Sequence, residues 1–512
     1  MNTYNIRDFG AVGDGITKDT ASIQAAIDRC SETGGGTVIV PQGQFLSGTI
    51  MLKSDVNLHL SANGRIISSM EEQDFDPLQG GGRCGLLSAR GADRIAVTGM
   101  GTIDGQGPRF VEEDNGIGDH VLLPLFEFRP KLIDLEGCKD VIFRDVTLYQ
   151  ASSWCLHMTG CNRVNIQGIK IIGQLRGPNN DGIDPDSCKD VHISDCHIEA
   201  GDDCIVLKTT EHGARHYGTC ENITVTNCTL ISRSTALKIG TETHADIRNV
   251  VFQNCVIRYT NRGMGVWARD GGTIENILFS NIVVETRLFS DELEQTRKRK
   301  WWGKGEPIFV SVDRRTPDVF PGKIRNIRFN HILADSENAI YLEGTEDSML
   351  EGIAIRNLKV TMRDKSGYPG GVFDPNPSAR RVYHHTIPAV FCRYGKQISL
   401  EDVEVGWSGQ PNRHWENALY GVHLDELSLK GFRGGPAKKG LNAIELKDVR
   451  SLSVEGCKAV SDTDAFLSLD NVDASQLFIV GNDFSKAREA VRFAEDAPPV
   501  YFAASNKLPE LP

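Results

Sequence analysis

The sequence predicts an all-β chain that folds as a single-domain right-handed parallel β-helix over residues 1–512. Short segments of alternating apolar and polar residues recur at a nearly constant spacing, and the chain between them is too short for the helices of βαβ units. The length agrees with this prediction, because 512 residues exceed what one compact core usually buries, whereas a solenoid adds core one layer at a time.

The repeat is a segment of about ten residues whose copies include KDVIFRDVTL, NRVNIQGIKI and KDVHISDCHI. One such unit cannot bury its own apolar face, so successive units are expected to stack into a tube. Weaker copies extend the pattern from about residue 35 almost to the C-terminus. The first apolar residues of six successive copies, separated by 23, 27, 32, 27 and 27 residues, are Val141, Val164, Val191, Ile223, Val250 and Ile277.

Residues 1–35 are predicted to form a cap that contains one helix. Asp19 or Thr20 can cap the helix N-terminus, and Ile23, Ala26 and Ile27 have the spacing of one helical face. Glycines after Thr33 would end the helix. Such a cap would cover the unpaired backbone groups at the open end of the tube.

Two sets of residues recur in register along the repeat. The first set is predicted to be a stack of small apolar side chains inside the tube, with metal binding as the alternative, and consists of Cys196, Cys228 and Cys255. The second set is predicted to be an amide ladder at a turn and consists of Asn222, Asn249 and Asn276.

Two stretches exceed the repeat length, at residues 285–322 and 362–395. Excess length in a solenoid usually projects as loops on one face, which is often the binding face. We expect these two insertions to form the walls of a cleft.

Composition restricts the partners of the chain. The balance of 56 basic against 68 acidic residues gives a net charge of −12, which argues against nucleic acid or an anionic membrane as a partner, although a local basic patch could still hold an acidic polysaccharide. No apolar run approaches the roughly 20 residues of a membrane-spanning helix. The first residues lack the pattern of a secretory leader, so a cytoplasmic location is expected, unless the chain is a secreted protein without its leader. Composition says nothing about the oligomeric state.

A group of aspartates carries the strongest functional signal. Asp181 and Asp202 are 21 residues apart, close to one coil, and adjacent parallel coils lie about 4.8 Å apart. Asp181, Asp202 and Asp203 are therefore expected to converge, with Asp184 and Asp186 near enough to join or shield them. Clustered carboxylates repel one another unless one holds a proton or a cation binds, so the cluster predicts a catalytic or metal site.

The segments NNDGIDPDSC, from Asn179, and GDDCIVLK, from Gly201, resemble the polygalacturonase-type glycoside hydrolases of family 28. The opening FGAVGDG is similar to the start of many family members. The resemblance implies a parallel β-helix, an oligosaccharide or polysaccharide substrate, and hydrolysis with inversion and without a metal or cofactor. It also implies that Asp202 is the general acid, while Asp181 and Asp203 orient and deprotonate the attacking water.

The sequence departs from the family at two motifs. Ser234 or Thr235 stands where the histidine of the GHG motif is expected, and Gly265 and Trp267 stand in the Arg and Lys positions of the RIK motif. The RIK motif grips a galacturonate carboxylate in the family. Plain polygalacturonate is therefore expected to be a poor substrate unless another cation substitutes.

Several residues could bind the sugar in place of the missing motifs. The candidates for a replacement cation are Lys238, Arg262, Arg269 and the RKRK run that begins at Arg297, and the candidates for stacking on a sugar ring are Trp267, Trp301 and Trp302.

Together these features predict a glycoside hydrolase that cleaves a pectic or related plant-type oligosaccharide from chain ends. One alternative is a metal-dependent polysaccharide lyase on the same fold, with calcium bound by the aspartates and an Arg or Lys as the base. The other alternative is a non-catalytic, carbohydrate-binding β-helix.

Overall fold

The computed structural model describes residues 2–78, 82–290, 301, 303–494 and 502–509. Parallel strands dominate this part of the chain, and its α-helices are α1 (Thr20–Glu32) and α2 (Glu211–Tyr217). Short 3₁₀ helices cover Ile6–Phe9, Glu72–Asp74, Gly107–Phe110 and Ala474–Gln476. The chain divides into two compact units, the first running to Lys238 and the second beginning at Ile239. The single domain over 1–512 stays a prediction.

The strands of the first unit are β1 (Asn2–Asn5), β2 (Asp14–Lys18), β3 (Gly36–Val40), β4 (Gly43–Ser47), β5 (Ile50–Met51), β6 (Val56–Leu60), β7 (Gly64–Ser68), β8 (Leu87–Arg90), β9 (Asp93–Gly99), β10 (Thr102–Asp104), β11 (Ile133–Glu136), β12 (Lys139–Arg144), β13 (Thr147–Tyr149), β14 (Leu156–Thr159), β15 (Asn162–Gln167), β16 (Lys170–Ile172), β17 (Ile183–Asp186), β18 (Lys189–Ser194), β19 (His197–Ala200), β20 (Ile205–Thr209), β21 (Cys220–Thr226) and β22 (Thr229–Ser232).

The unit boundary falls within β23 (Thr235–Thr243). The strands of the second unit are β24 (Ile247–Gln253), β25 (Val256–Thr260), β26 (Arg262–Ala268), β27 (Thr273–Thr286), β28 (Ile308–Val312), β29 (Lys323–Ser336), β30 (Ile340–Glu343), β31 (Leu350–Arg363), β32 (Val372–Phe373), β33 (Tyr383–His384), β34 (Val390–Lys396), β35 (Ile398–Ser408), β36 (Leu419–Lys430), β37 (Ile444–Glu455), β38 (Thr463–Val472), β39 (Leu477–Val480), β40 (Ala487–Phe493) and β41 (Phe502–Ala504).

Each coil of the first unit contributes three strands, and each strand pairs in parallel with the equivalent strands of the coils before and after it. Strand β12 pairs with β9 and β15, and β14 pairs with β11 and β17. The second unit has longer strands and fewer of them in each coil, but they also pair in parallel, with β29 between β27 and β31. The all-β solenoid predicted from the repeat is confirmed.

The register of the coils follows the sequence repeat. In the first unit Val164 pairs with Val191, and Val191 pairs with Ile223. In the second unit Val250 pairs with Ile277. These side chains are buried, because the period-2 alternation turns them toward the inside of every coil.

Helix α1 begins at Thr20 and packs against the first strands of its unit. The predicted face is buried and includes Ile23, Ala26 and Ile27. Asp19 occupies the N-cap position, but its carboxylate accepts hydrogen bonds from the backbone N–H groups of Val12 (2.7 Å) and Gly13 (3.0 Å). It therefore fixes the preceding turn rather than the first turn of the helix.

The predicted cysteine stack lies inside the coils, and the predicted asparagine ladder lies along them. The three cysteines of the stack are buried free thiols, which is the core packing that the repeat predicts. In the second unit, Asn276 donates from Nδ2 to Oδ1 of Asn249 (3.3 Å). Asn222 instead donates to Asp190 of its own unit (3.0 Å). All three asparagines have φ between 57° and 61°, a left-handed conformation that asparagine tolerates better than most residues.

The structure describes the two predicted insertions to different extents. Residues 362–395 contain the antiparallel pair β32 and β33, whereas residues 291–300 and 302 of the 285–322 insertion lie outside the described residues. A further long loop, not predicted from the sequence, covers residues 105–132 between β10 and β11 in the first unit. Within the described ranges, neither helix has the length and apolar character needed to cross a bilayer.

Candidate active site

The structure brings Asp181, Asp202 and Asp203 together in the first unit. Asp181 lies two residues before β17, and the two other aspartates lie between β19 and β20. Strand β17 pairs with β20 in register, Ile183 with Ile205, so the segments before these strands lie side by side. One carboxylate oxygen from each of the three aspartates lies within 4.8 Å of the others. The convergence expected from the one-coil spacing is therefore observed.

The backbone around Asp202 is fixed by its neighbour on the preceding coil. The buried Asn180 accepts a hydrogen bond from the backbone N–H of Asp202 at Oδ1 (3.0 Å) and donates from Nδ2 to the carbonyl of Gln174 (2.8 Å). Gly201 is required by close approach, because a Cβ there would lie 2.3 Å from the carbonyl oxygen of Gly177. The two coils therefore hold the aspartate pair in one fixed position.

Asp203 is buried and accepts hydrogen bonds from three neighbours in the RSTALK segment. Ser234 donates from Oγ (2.9 Å), Thr235 donates from its backbone N–H (3.1 Å), and Lys238 donates from Nζ (2.6 Å). These are the residues that stand near the expected histidine of the GHG motif. Hydroxyl, amide and ammonium groups therefore contact the Asp203 carboxylate.

Asp181 and Asp184 share one lysine. Nζ of the buried Lys208 lies 2.7 Å from Oδ1 of Asp184 and 3.5 Å from Oδ2 of Asp181. It also lies 4.0 Å from the ring centre of Trp154. Burial, followed by the charge of Asp184, raises the pKa of Asp181 well above its ordinary value, and Lys208 opposes that rise.

Asp202 is the most accessible of the three aspartates. Burial raises its pKa to about 8, with further contributions from the negative charges of Asp181 and Asp203. This raised pKa favours the protonated form of Asp202 at neutral pH, which is the form that a general acid requires.

Asp184 and Asp186 are buried rather than solvated. Asp186 accepts hydrogen bonds from the backbone N–H (2.9 Å) and hydroxyl (2.6 Å) of Thr210, and its Oδ2 lies 3.5 Å from Nε2 of His157. These contacts connect Asp186 to Thr210 and to the buried His157 on β14. Asp186 is thus a support of the site, while Asp184 adds negative charge beside Asp181.

The structure corrects two predicted substrate contacts, Trp267 and Arg269, which lie in the second unit. Trp267 is 1% exposed and stacks on Phe309, with 4.8 Å between the ring centres, so its ring has no free face for a sugar. Arg269 is fully buried, and its five N–H groups donate to the carbonyls of Ala268, Ser311, Pro375 and Pro377 and to the Ser311 hydroxyl. Arg269 therefore anchors the 362–395 insertion.

The other predicted substrate contacts have different outcomes. Trp301 is 4% exposed, which leaves little of its ring for stacking on a sugar, and Arg262 is buried and paired with Glu306 (3.0 Å). Trp302 and the basic run at 297–300 lie outside the described residues. Lys238 is at the aspartate group, but it binds Asp203.

The three aspartates lie close enough for one water to bridge two of them. Inverting glycosidases usually keep their two carboxyl groups about 6.5 to 9.5 Å apart, to leave room for water. At this site one oxygen of each aspartate lies within 4.8 Å of one oxygen of the other two, which is a distance between single oxygens rather than between carboxyl groups. A water that donates both hydrogens at about 2.8 Å holds two acceptors about 4.6 Å apart, so one water can bridge two of these carboxylates.

Comparisons with known proteins identify the family of the chain. The model of the glycosyl hydrolases family 28 matches residues 30–291. The chain is 29% identical over 385 residues to a probable polygalacturonase of Vitis vinifera, covering 71% of this chain and 75% of that protein. It is 26% identical to the structure of a hyperthermoactive exopolygalacturonase from Thermotoga maritima, with a TM-score of 0.60 over 79% of this chain and 92% of that one.

A more distant structure agrees in fold. The family 28 exopolygalacturonase of Yersinia enterocolitica has a TM-score of 0.61 at 18% identity, over 84% of this chain and 78% of that one. The family match spans the coils that carry all three aspartates and their lysines. The chain belongs to the glycosyl hydrolases family 28 and is a glycoside hydrolase.

Proposed function

We propose that the protein hydrolyses a pectic or related plant-type oligosaccharide from chain ends, by inverting, metal-free acid/base catalysis. The observation that carries the mechanism is the difference between Asp202, whose pKa is about 8, and Asp203, whose carboxylate is bound by an ammonium group at 2.6 Å. Two neighbouring carboxyl groups with environments this different suit opposite roles in acid/base catalysis.

In this mechanism Asp202 gives its proton to the glycosidic oxygen as the bond from that oxygen to the anomeric carbon breaks. A water held by Asp181 and Asp203 attacks the anomeric carbon from the opposite face and loses a proton to this pair. The electron pair of the broken bond stays on the leaving sugar, which departs as a neutral alcohol. A further proton exchange with solvent restores Asp202 for the next cycle.

The lysines of the site favour metal-free chemistry over a calcium-dependent lyase. Lys238 lies 2.6 Å from Asp203, and Lys208 lies 2.7 Å from Asp184. Both ammonium groups already partly neutralise the carboxylates, and both would repel a divalent cation placed among them. Without these lysines, three aspartates this close together would suit a cation.

Chain-end action has support from the relatives and from the loops. The Thermotoga maritima and Yersinia enterocolitica structures are described as exopolygalacturonases. In this chain, the 105–132 loop docks on the turn that precedes Asp181, where it can close one side of the substrate site.

The test is a digestion of a panel of pectic oligosaccharides, with released reducing ends and ultraviolet absorbance followed together. We expect reducing ends without the absorbance of unsaturated sugars, no effect of a chelator, and release from one chain end of end-labelled substrates. Asp202→Asn should abolish release, whereas Asp195→Asn, at an exposed turn, should not. Unsaturated products that require calcium would establish the lyase, and no release from any substrate would contradict the proposal.

A further inference from the structure

The 105–132 loop brings an arginine to the aspartate group. Arg129 donates from Nη1 to the carbonyls of Ser152 (2.9 Å) and Pro178 (2.7 Å), and from Nη2 to Oδ1 of Asn179 (3.0 Å). Asn179 is two residues before Asp181. The next residue, Asn180, binds the backbone of Asp202. Arg129 therefore contacts the turn that places both the acid and one of its partners.

The contacts of Arg129 differ from those of the two lysines at the site, because no carboxylate of the described residues pairs directly with its charge. Lys208 and Lys238 each have a carboxylate within 2.7 Å. All the hydrogen-bond acceptors of Arg129 are neutral, and within the described ranges no carboxylate lies within ion-pair distance of it. Burial lowers the pKa of Arg129, and Asp202 is the charge that acts against this effect. A partly buried guanidinium without a direct counter-ion is costly, so the charge favours an anionic ligand.

Arg129 also keeps hydrogen-bonding capacity. Its three hydrogen bonds use three of the five N–H groups of a guanidinium, and its side chain is partly exposed. The fully buried Arg269 uses all five. Arg129 can thus donate hydrogen bonds to a carboxylate without breaking the contacts that hold its loop.

We propose that Arg129 binds the carboxylate of a uronic acid residue next to the scissile bond and is a specificity-determining residue of this enzyme. This inference rests on the proposed function. It supplies the replacement cation that the absent RIK charges require, from a residue that the sequence patterns do not indicate. It also reverses one expectation, because oligogalacturonides would then be good substrates.

The test compares trigalacturonate with the same trisaccharide after reduction of its carboxylates to primary alcohols. Arg129→Gln should lower kcat/KM for trigalacturonate by about tenfold to a hundredfold, mainly through KM, because a hydrogen bond to a charged group is lost. It should change kcat/KM for the reduced trisaccharide by less than about threefold, within what a lost neutral hydrogen bond allows. Arg129→Lys should restore most of the preference for the acidic substrate.

Two matched variants separate binding from loop positioning. Arg176 also holds the 105–132 loop, but it is paired with Asp114 (2.6 Å), so Arg176→Gln should affect both substrates equally. Arg163→Gln removes an exposed arginine that pairs with Asp140 (2.6 Å) and should affect neither. Equal losses on both substrates for Arg129→Gln, or no loss, would overturn the inference.

A binding measurement keeps the inference independent of catalysis. In the Asp202→Asn background, calorimetric titration with trigalacturonate should show weaker binding when Arg129→Gln is added, and binding of the reduced trisaccharide should not change. Unchanged trigalacturonate affinity would overturn the role of Arg129 even if hydrolysis is confirmed. Charge-selective binding without hydrolysis by the wild-type protein would instead contradict the proposed function alone.

Discussion

Asp202→Asn should increase the stability of the protein while it abolishes catalysis. The pKa of Asp202 is about 8, whereas an unfolded aspartate has a pKa of about 3.9. At pH 7 the folded protein holds this proton although the unfolded chain has released it. This pH lies about three units above the pKa of the unfolded aspartate. At about 1.4 kcal/mol per unit, this costs up to about 4 kcal/mol of folding free energy, which a neutral asparagine avoids.

The sign of the effect fixes its pH dependence. A raised carboxyl pKa makes the folded state bind more protons than the unfolded state, so wild-type stability falls relative to the variant as pH rises from about 4 to about 8. Above pH 8 both states of the wild type are ionised, and the difference becomes constant. At pH 4 the two proteins should be nearly equal in stability.

The assay is chemical denaturation of both proteins between pH 4 and pH 9, with hydrolysis measured in parallel. Hydrolysis should fall by at least about 100-fold to 10,000-fold, the usual contribution of a general acid. Asp195→Asn is the matched control of opposite sign, because hydrogen bonds from Ser194 and then Asn227 lower the pKa of Asp195. Unfolding free energies of wild type and Asp202→Asn that stay parallel over this range would refute the raised pKa.

Two further predictions concern the mechanism. Proton NMR of the first product should show an anomeric configuration opposite to that of the cleaved bond; retention would mean that an aspartate, instead of a water, attacks the anomeric carbon. Lys238→Met should lower kcat and move the basic limb of the kcat/KM profile to higher pH, because Lys238 lowers the pKa of Asp202 in the folded protein; a limb that stays in place or moves to lower pH would contradict this electrostatic role.

The coil architecture could be predicted because its apolar positions repeat at a regular spacing in the sequence. The apolar positions at Val164, Val191 and Ile223 recur at coil spacing, and the same residues pair in the structure. The 105–132 loop could not be predicted in this way. Arg129 and Arg176 attach it partly through backbone carbonyls, and a carbonyl acceptor leaves no signature in the sequence.

The aspartates of the site were predictable for the same reason as the coils, whereas the residues around them were not. The 21-residue spacing of Asp181 and Asp202 follows from one coil. Lys208 stood within the diagnostic segment, and a lysine inside an otherwise apolar strand was a signal that its charge is paired. The prediction that Trp267 contacts the sugar was wrong, because the sequence does not show that Phe309, on the following coil, covers its ring.

The surroundings of Asp202 explain why it retains its proton. Burial raises the pKa of Asp202 most, and the negative charges of Asp181 and Asp203 raise it further, whereas Lys238 lowers it. Loss of the Asp202 proton would place a negative charge among these buried carboxyl groups, so the proton is retained to about pH 8. A uronate that pairs with Arg129 would bring its own negative charge close to Asp202 and raise the pKa of the acid further, so substrate binding itself would keep the proton donor loaded.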